Sequence, residues 1–180
     1  FFNKTIKSRY LDSRIDNTYV NTSNKENYIF NSTINGIEDS DLIVLIGTNP
    51  RYEATILNLR IRKSYLKNNL EIYSIGDVGD LTYPYEILSN NTKIIKDIIE
   101  GKHNLSSKIE NSKKPLIIIG NSVLNSKSGK YVFEEMKKYL TSRNKISDEW
   151  NSLNILSKNA STVGSNDLNI ISSTDSQNVV

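Results

Sequence analysis

The residues best suited to chemistry lie in the segment Gly47-Thr48-Asn49-Pro50, between five apolar residues and a helix-like pattern. In an open parallel sheet, a strand that turns through glycine into a helix can present free N–H groups to an anionic ligand. The glycine patterns of dinucleotide sites and P-loops are absent, however, and Glu53 would repel a phosphate. Nucleotide binding therefore competes with a simple helix start, which Asn49 and Pro50 favour as N-cap and first helical residue.

Other polar candidates are scattered along the chain. Asp77 and Asp80 follow the second predicted strand, where an acidic residue can bind a ribose hydroxyl, but the neighbouring glycines favour a turn. His103, the single histidine, lies in a polar loop and is expected at the surface. We find no spacing that joins a nucleophile, a base and an orienting group, so no catalytic residue is predicted.

A basic cluster and three aromatic residues have structural alternatives. Few aromatics are interleaved with the basic residues, so a solvated helix face or a contact with a partner subunit is favoured and no nucleic-acid partner is expected. The aromatic residues are expected in packing or an interface rather than in a ligand pocket. The basic cluster comprises Arg51, Arg60, Arg62, Lys63 and Lys67, and the aromatic residues are Tyr83, Tyr85 and Trp150.

Composition excludes several classes of site. The 180 residues include no cysteine, which removes disulfides, iron–sulfur ligation and a thiol nucleophile. One histidine cannot form a multi-histidine metal centre, and we predict no metal site. The net charge of +3 is too small to indicate nucleic acid. No apolar run approaches the roughly 20 residues of a membrane helix. The chain begins with Phe1, so it is expected to be processed or a fragment, and a targeting segment could be missing.

The pattern of elements predicts an α/β fold, a three-layer, Rossmann-like and mostly parallel sheet with helices on both faces. We expect an extended N-terminal segment over 1–27, a partial α/β domain over 28–161 and a polar, poorly ordered tail over 162–180. The predicted strands are Leu42 to Ile46, Leu70 to Ile75 and Leu116 to Ile119. The predicted helices are Thr33 to Ser40, Pro50 to about Asn68, one capped by Asn91 or Thr92 and ended by Gly101, one from near Ser128, and one carrying Trp150, Leu153, Leu156 and Ala160.

The helix from Pro50 has a predicted orientation. Ala54, Leu57, Ile61 and Leu66 are expected to face the sheet, because they recur at helical spacing. Arg60, Lys63 and Lys67 would then face outward. The segment GDVGDLTYPYEIL after the second strand is predicted to be an ordered loop.

The segment DLIVLIGTNPRYEATILNLRIRKSYLKNNLEIYSIGDVGDLTY resembles the molybdopterin-oxidoreductase-like domain of the 75 kDa iron–sulfur subunits of respiratory complex I, NADH:ubiquinone oxidoreductase. YIFNSTINGIEDSD, KKPLIIIGNSVL and WNSLNILSKNAS are similar to the same family, and the resemblance covers roughly Tyr28 to Leu168. Thr55 departs from the family, which often has proline after the alanine, and this leaves the geometry of the loop open.

The resemblance implies a structural, non-catalytic part of the peripheral arm, supporting electron transfer from NADH to ubiquinone. It implies that Gly47, Thr48, Asn49 and Pro50 form a vestigial loop and that this chain holds no cofactor. FMN and iron–sulfur clusters would lie in partner chains, including the chain that carries the iron–sulfur half of the same subunit. The implied location is the matrix side of the mitochondrial inner membrane, or the cytoplasmic side of a bacterial membrane, with only indirect membrane contact. The alternative is a fragment of an active, formate dehydrogenase-like molybdopterin oxidoreductase.

Overall fold

The strands of the computed structural model form one sheet with a single strand direction. The structure describes residues 2–7, 11–68 and 70–171, and within them the strand order is β3-β2-β1-β4-β5 with every adjacent pair parallel. This confirms the predicted α/β class and the parallel sheet. The strands are β1 (Leu42–Ile46), β2 (Glu71–Ile75), β3 (Glu86–Ser89), β4 (Pro115–Gly120) and β5 (Leu153–Leu156).

Helices cover both faces of this sheet. On one face, α4, α5 and α7 pack against the side chains of Val44 and Ile117. On the other face, α3 and the loop 77–85 pack against Ile43 and Leu45. The alternate residues of β1 thus belong to two cores, as a continuous apolar strand requires. The helices are α1 (Thr33–Gly36), α2 (Pro50–Glu53), α3 (Thr55–Asn68), α4 (Ile94–Ile99), α5 (Asn104–Asn111), α6 (Asn121–Leu124), α7 (Gly129–Ser142) and α8 (Thr162–Asp167).

The predicted single helix from Pro50 to Asn68 is two helices. Ala54 leaves helical geometry, with φ −152° and ψ 74°, and separates α2 from α3. The predicted inward face is correct for Leu57 and Ile61, which are buried against the sheet, and Ala54 is partly buried. It is wrong for Leu66, which is 71% exposed because it lies on the opposite side of α3 from Ile61.

Several elements differ from the sequence prediction. Leu153 and Leu156 lie in strand β5 rather than in a helix, because the segment pairs with β4 through Ile117. Strand β3 and helix α5 had not been predicted, and the segment Thr33 to Ser40 is α1 followed by a 3-10 turn, Ile37–Asp39. In the predicted tail, Thr162–Asp167 forms α8, and the residues after it contact the N-terminal segment, where the Ser13 N–H donates to the Ile170 carbonyl at 3.0 Å. Residues 172–180 lie outside the described residues.

The N-terminal segment, predicted as extended, is attached to the domain. It contains a π-helical turn at Phe2–Ile6 and a 3-10 turn at Lys25–Asn27. The Tyr19 hydroxyl donates to Glu134 Oε1 of α7 at 2.6 Å. Burial and this carboxylate raise the pKa of Tyr19 to about 12, so the phenol remains a donor at neutral pH.

Residues 29–32 close the β5 edge of the sheet. Phe30 forms an antiparallel bridge with Asn154, and the Ile155 N–H donates to the Ile29 carbonyl at 3.1 Å. The Ser32 N–H donates to Asn154 Oδ1 at 2.8 Å, so a fully buried amide side chain completes the pairing. Backbone groups of β5 that would otherwise lack partners are thereby satisfied.

Asp41 fixes the start of β1 to the turn before β4. Its carboxylate accepts hydrogen bonds from the Ser112 hydroxyl, from the Lys113 N–H at 2.6 Å and from the Lys114 N–H at 3.1 Å. Partial burial raises the pKa of Asp41, but these donors outweigh it and hold the pKa below its ordinary value.

Candidate functional site at the β1–β4 switch point

The strand order reverses its direction of growth between β1 and β4. From β1 the chain adds β2 and β3 on one side, and then crosses to add β4 and β5 on the other. In open α/β sheets, ligands bind in the crevice beyond the carboxyl ends of the strands at this point. The predicted segment 47–50 follows β1 and therefore lies at the switch point of the sheet.

The first turns after β1 and β4 are in close contact. A Cβ atom built on Gly120 would lie 2.3 Å from the Gly47 carbonyl oxygen and 2.5 Å from Thr48 Cβ. A Cβ atom on Gly47, whose φ is +56°, would lie 2.2 Å from Val123 Cγ2. The Ser122 hydroxyl donates to the Gly47 carbonyl. Close backbone contact and the side chains of α6 therefore occupy the region where a ligand would enter.

The N-terminus of α2 is capped by the protein itself. Asn49 Oδ1 accepts from the Arg51 N–H at 3.0 Å and from the Tyr52 N–H at 3.4 Å. The Glu53 carboxylate accepts from the Asn49 N–H at 3.1 Å and from the buried Thr48 hydroxyl at 2.9 Å. Asn49 is thus the N-cap and Pro50 the first helical residue, as predicted. The amides that would bind an anion already have side-chain acceptors.

The loop predicted after the second strand ends earlier than expected, because its last residues from Glu86 belong to β3, and the remaining loop 77–85 is bonded to the helix start. Asn49 Nδ2 donates to the Val78 carbonyl at 2.5 Å, and Arg51 Nη1 lies 2.5 Å from Asp80 Oδ2. The carboxylates of Asp77 and Asp80 accept turn amides, from Gly79 and Thr82 respectively. Both aspartates therefore act in turns, and Asp80 is engaged by Arg51.

Tyr83 anchors the same loop to α3. Its hydroxyl donates to Asn58 Oδ1 at 2.7 Å, and Asn58 Nδ2 donates to the Leu81 carbonyl at 3.2 Å. Burial raises the pKa of the Tyr83 phenol, which keeps its proton for this bond. Tyr85 donates to the Gly79 carbonyl at 2.8 Å. These two tyrosines pack and fasten the loop, which agrees with the predicted structural use.

The structure divides the predicted basic cluster. Arg51 bonds Asp80, whereas Arg60 Nη1 and Lys63 Nζ lie 2.5 and 2.9 Å from Glu38 Oε1. These two cations, Lys63 foremost, hold the pKa of Glu38 below its ordinary value. Arg62 and Lys67 are exposed. Sequence reasoning missed Glu38, because its pairing with α3 is a tertiary contact without a local signal.

His103 and Trp150 have specific structural positions. His103 is the N-cap of α5, where Nδ1 accepts from the Leu105 N–H at 3.1 Å, so it is not simply a surface residue. Trp150 packs against one core, and its Nε1 donates to the Pro115 carbonyl at 3.0 Å. It also lines an open groove of about 780 Å³ near the amino ends of β1 and β4.

The carboxyl end of β4 is covered by a segment that sequence reasoning did not connect to it. Asn121 Nδ2 donates to Thr18 Oγ1 at 3.3 Å and to Asp16 Oδ2 at 3.4 Å. Between the segment around Asp16 and Thr18 and helix α8 lies a cavity of about 40 Å³, which has room for only a few waters. The separation of more than 100 residues between the partners left no pattern to find.

The described part of the chain offers no metal site and no membrane span. No group of three or more histidine or acidic side chains converges there in a way that could hold an ion. Nor does any helix in the same residues combine the length and apolar character needed to cross a bilayer.

Comparison with known proteins gives consistent relatives. The chain is 43% identical over 159 residues to the NADH-ubiquinone oxidoreductase 75 kDa subunit of Reclinomonas americana, covering 88% of this chain and 23% of that protein. It is 42% identical over 145 residues to the mitochondrial 78 kDa subunit of Candida albicans, covering 80% and 20%. It is 34% identical over 155 residues to the mitochondrial NADH dehydrogenase [ubiquinone] iron-sulfur protein 1 of Solanum tuberosum, covering 86% and 21%.

The chain therefore spans about a fifth of the length of these relatives. The sequence pattern of the molybdopterin oxidoreductase domain matches residues 2–179. The parallel sheet and its switch point agree with that match. Because the match extends over nearly the whole sequence, this chain belongs to the molybdopterin oxidoreductase family.

Proposed function

We propose that the chain is a structural, non-catalytic part of the peripheral arm of respiratory complex I, supporting electron transfer from NADH to ubiquinone. The observation that carries this proposal is the closed switch point, where the family fold persists while backbone and side chains fill the ligand crevice. The similarity to subunits of NADH-ubiquinone oxidoreductase supports this choice of assembly.

We infer that neither a nucleotide nor a pterin cofactor binds at Gly47 to Pro50. A phosphate at the start of α2 would need free amides, but Asn49 and Glu53 accept hydrogen bonds from those groups. The Glu53 carboxylate would also repel it. Opening the crevice would require separation of the Gly120 and Gly47 backbones, which are in contact. The residues present therefore do not fit the cofactor that the family name implies.

The redox groups of the assembly are assigned to partner chains. This sequence contains no cysteine that could ligate an iron–sulfur cluster, and we assign the clusters and FMN to the partner chains. The partners are the other peripheral-arm subunits, including the chain that carries the iron–sulfur half of the same subunit. The relatives from Candida and Solanum are named mitochondrial, which supports a location on the matrix side of the inner membrane, reached through the complex.

A tagged full-length chain, purified with its native partners, tests the proposal. We expect iron–sulfur and flavin subunits and NADH dehydrogenase activity to co-purify with the tag, and none of these from an untagged strain. Recovery of the chain alone would overturn complex membership.

Pterin analysis of the same preparation tests the second half of the proposal. Oxidised pterin is fluorescent after release from protein, and we expect none above the untagged background. Because other proteins can contribute pterin, the chain is then separated from its partners before release. One pterin per chain would overturn the non-catalytic assignment and support an active molybdopterin oxidoreductase.

A further inference from the structure

Four large apolar side chains project from α2 and α3 on the side opposite the sheet. We call them the outer stripe, and they are Tyr52, 80% exposed, Ile56, 68%, Leu59, 56%, and Leu66, 71%. Single exposed apolar residues are ordinary, whereas a contiguous row of them marks an interaction surface.

The spacing of the outer stripe matches a seam between paired helices. Within α3, Ile56, Leu59 and Leu66 occupy three of the four positions in a three, four, three spacing that places knobs into a facing helix, and the remaining position is the polar Lys63. On the other side of α3, Leu57 and Ile61 pack on the sheet. The helix therefore has two apolar sides, and the domain core uses one of them.

The borders of the outer stripe are basic. Helix α3 contains no acidic residue, and Arg62 and Lys67 are exposed beside the apolar positions. Glu38 balances only part of the charge of Arg60 and Lys63. A complementary surface would be apolar along its centre and acidic at its borders.

Nothing in the described residues covers the outer stripe. The helices α4, α5 and α7 lie on the opposite face of the sheet, so α3 forms the outer layer here. The aligned region is only about a fifth of each relative's length, so most of the protein that surrounds the equivalent domain in them lies outside this sequence.

We propose that the outer stripe docks an amphipathic helix with acidic borders from another polypeptide of the same assembly. The inference rests on the proposed function for the identity of the assembly. A lipid surface is disfavoured because Lys63 interrupts the stripe and α3 has neither tryptophan nor phenylalanine to enter the headgroup region.

Photo-crosslinking in the native assembly identifies the occupant. A photoreactive amino acid replaces Leu59 in the tagged full-length chain, and crosslinked peptides are sequenced after irradiation. We expect a peptide of another subunit that has apolar residues at helical spacing and flanking Asp or Glu. Crosslinks only to a second copy of this chain would overturn the proposal, as would sedimentation of the isolated chain with vesicles of phosphatidylcholine and phosphatidylserine.

A charge substitution measures the contribution of the stripe. We expect Leu59→Glu to lower the amount of chain recovered with the assembly about tenfold, since one packed apolar anchor is worth over 1 kcal/mol. The matched control is Tyr131→Glu on α7, where a side chain 48% exposed lies on the other face of the sheet. Circular dichroism checks that both variants fold.

These experiments distinguish failure of the docking proposal from failure of the proposed function. Recovery of Leu59→Glu at the wild-type level would overturn the docking proposal and leave complex membership intact. Failure of the wild-type chain itself to co-purify would overturn the proposed function. An equal loss for Tyr131→Glu would show that any added surface charge disrupts assembly, and would also overturn the specific role of the stripe.

Discussion

Gly120→Ala is the sharpest test of the closed switch point. Gly120 has φ −94° and ψ 168°, a backbone geometry that alanine adopts freely, so any effect must come from the added methyl group. That methyl would meet the Gly47 carbonyl at 2.3 Å and Thr48 Cβ at 2.5 Å. Relief requires a shift of about 1 Å, because non-bonded heavy atoms rest about 3.5–4.0 Å apart.

The expected loss in the free energy of unfolding depends on which atoms must move to make room for the methyl group. Both colliding atoms belong to the segment directly after β1, and β1 itself is hydrogen-bonded to a strand on each side. Overpacking costs typically about 1–3 kcal/mol, and we expect about 3 kcal/mol here because neither neighbour is a flexible side-chain end. Against a total stability of about 5–15 kcal/mol, this is a large change.

Urea unfolding followed by far-UV circular dichroism measures this difference. The control is Gly164→Ala in α8, where a Cβ atom would have no neighbour within 4 Å. Alanine is favoured over glycine within helices by about 1 kcal/mol, so this variant should be as stable as the wild type or more so. If Gly120→Ala unfolds within about 0.5 kcal/mol of the wild type, the crevice is open and the reasoning is refuted.

Four further substitutions, one of them a control, test other parts of the fold by the same unfolding assay. Ile61→Ala should lower the free energy of unfolding by about 2–5 kcal/mol, because Ile61 is fully buried under α3. Lys67 is exposed, so Lys67→Ala should stay within about 0.5 kcal/mol of the wild type. Equal losses for the two variants would contradict the helix register. Thr55→Pro should change the free energy of unfolding by less than about 1 kcal/mol, since Thr55 is the first residue of α3, Ala54 before it is already outside helical geometry, and the Thr55 hydroxyl loses only its bond to the Arg51 carbonyl. A larger loss would show that the break at Ala54 is wrongly placed. Asp41→Asn should cost about 1 kcal/mol at neutral pH, after allowance for solvent screening. Because the pKa of Asp41 is lowered in the folded state, the carboxylate stabilises the fold above its unfolded pKa of about 4, and this stabilisation is lost as pH falls through the folded pKa. The difference in stability between Asp41→Asn and wild type should therefore shrink as pH falls below about 4, and a constant difference would contradict the pKa assignment.

The end of β1 and the helix start that follows it were predictable because their signals are local. Asn49 and Pro50 specify a helix start within two residues, and the continuous apolar run of β1 specifies a strand buried on both faces. The break at Ala54 was harder to predict, since Thr55 stands where the resembled family often has proline, a residue that would have indicated a helix boundary.

The missed elements depend on partners distant in the sequence. Asn154 interrupts the apolar pattern of β5, and the presence of this polar residue in a buried strand is explained only by its hydrogen bond with Ser32. The edge strand β3 is only partly buried and carries little periodicity. Helix α5 was detectable in principle from Leu105 and Ile109, one turn apart, but its N-cap His103 is not a typical capping residue.

Leu66 illustrates a different limit of periodicity. It falls at helical spacing but belongs to the outer stripe rather than to the core. A helix with two apolar sides gives one mixed pattern, and the sequence does not separate the side that folds the domain from the side that meets a partner.

The closure of the β5 edge by residues 29–32 has a consequence for the order of events during synthesis. Residues 29–32 can pair with β5 only after a strand more than 100 residues later has been synthesised, since Ser32 and Asn154 are 122 residues apart. Contacts of such sequence separation form slowly, because a long loop must close first. Until β5 leaves the ribosome, both the segment and β4 present unpaired backbone to the surroundings. The nascent chain is thus exposed to wrong strand pairing while the residues between Ser32 and β5 are synthesised, and the edge is closed in one late step.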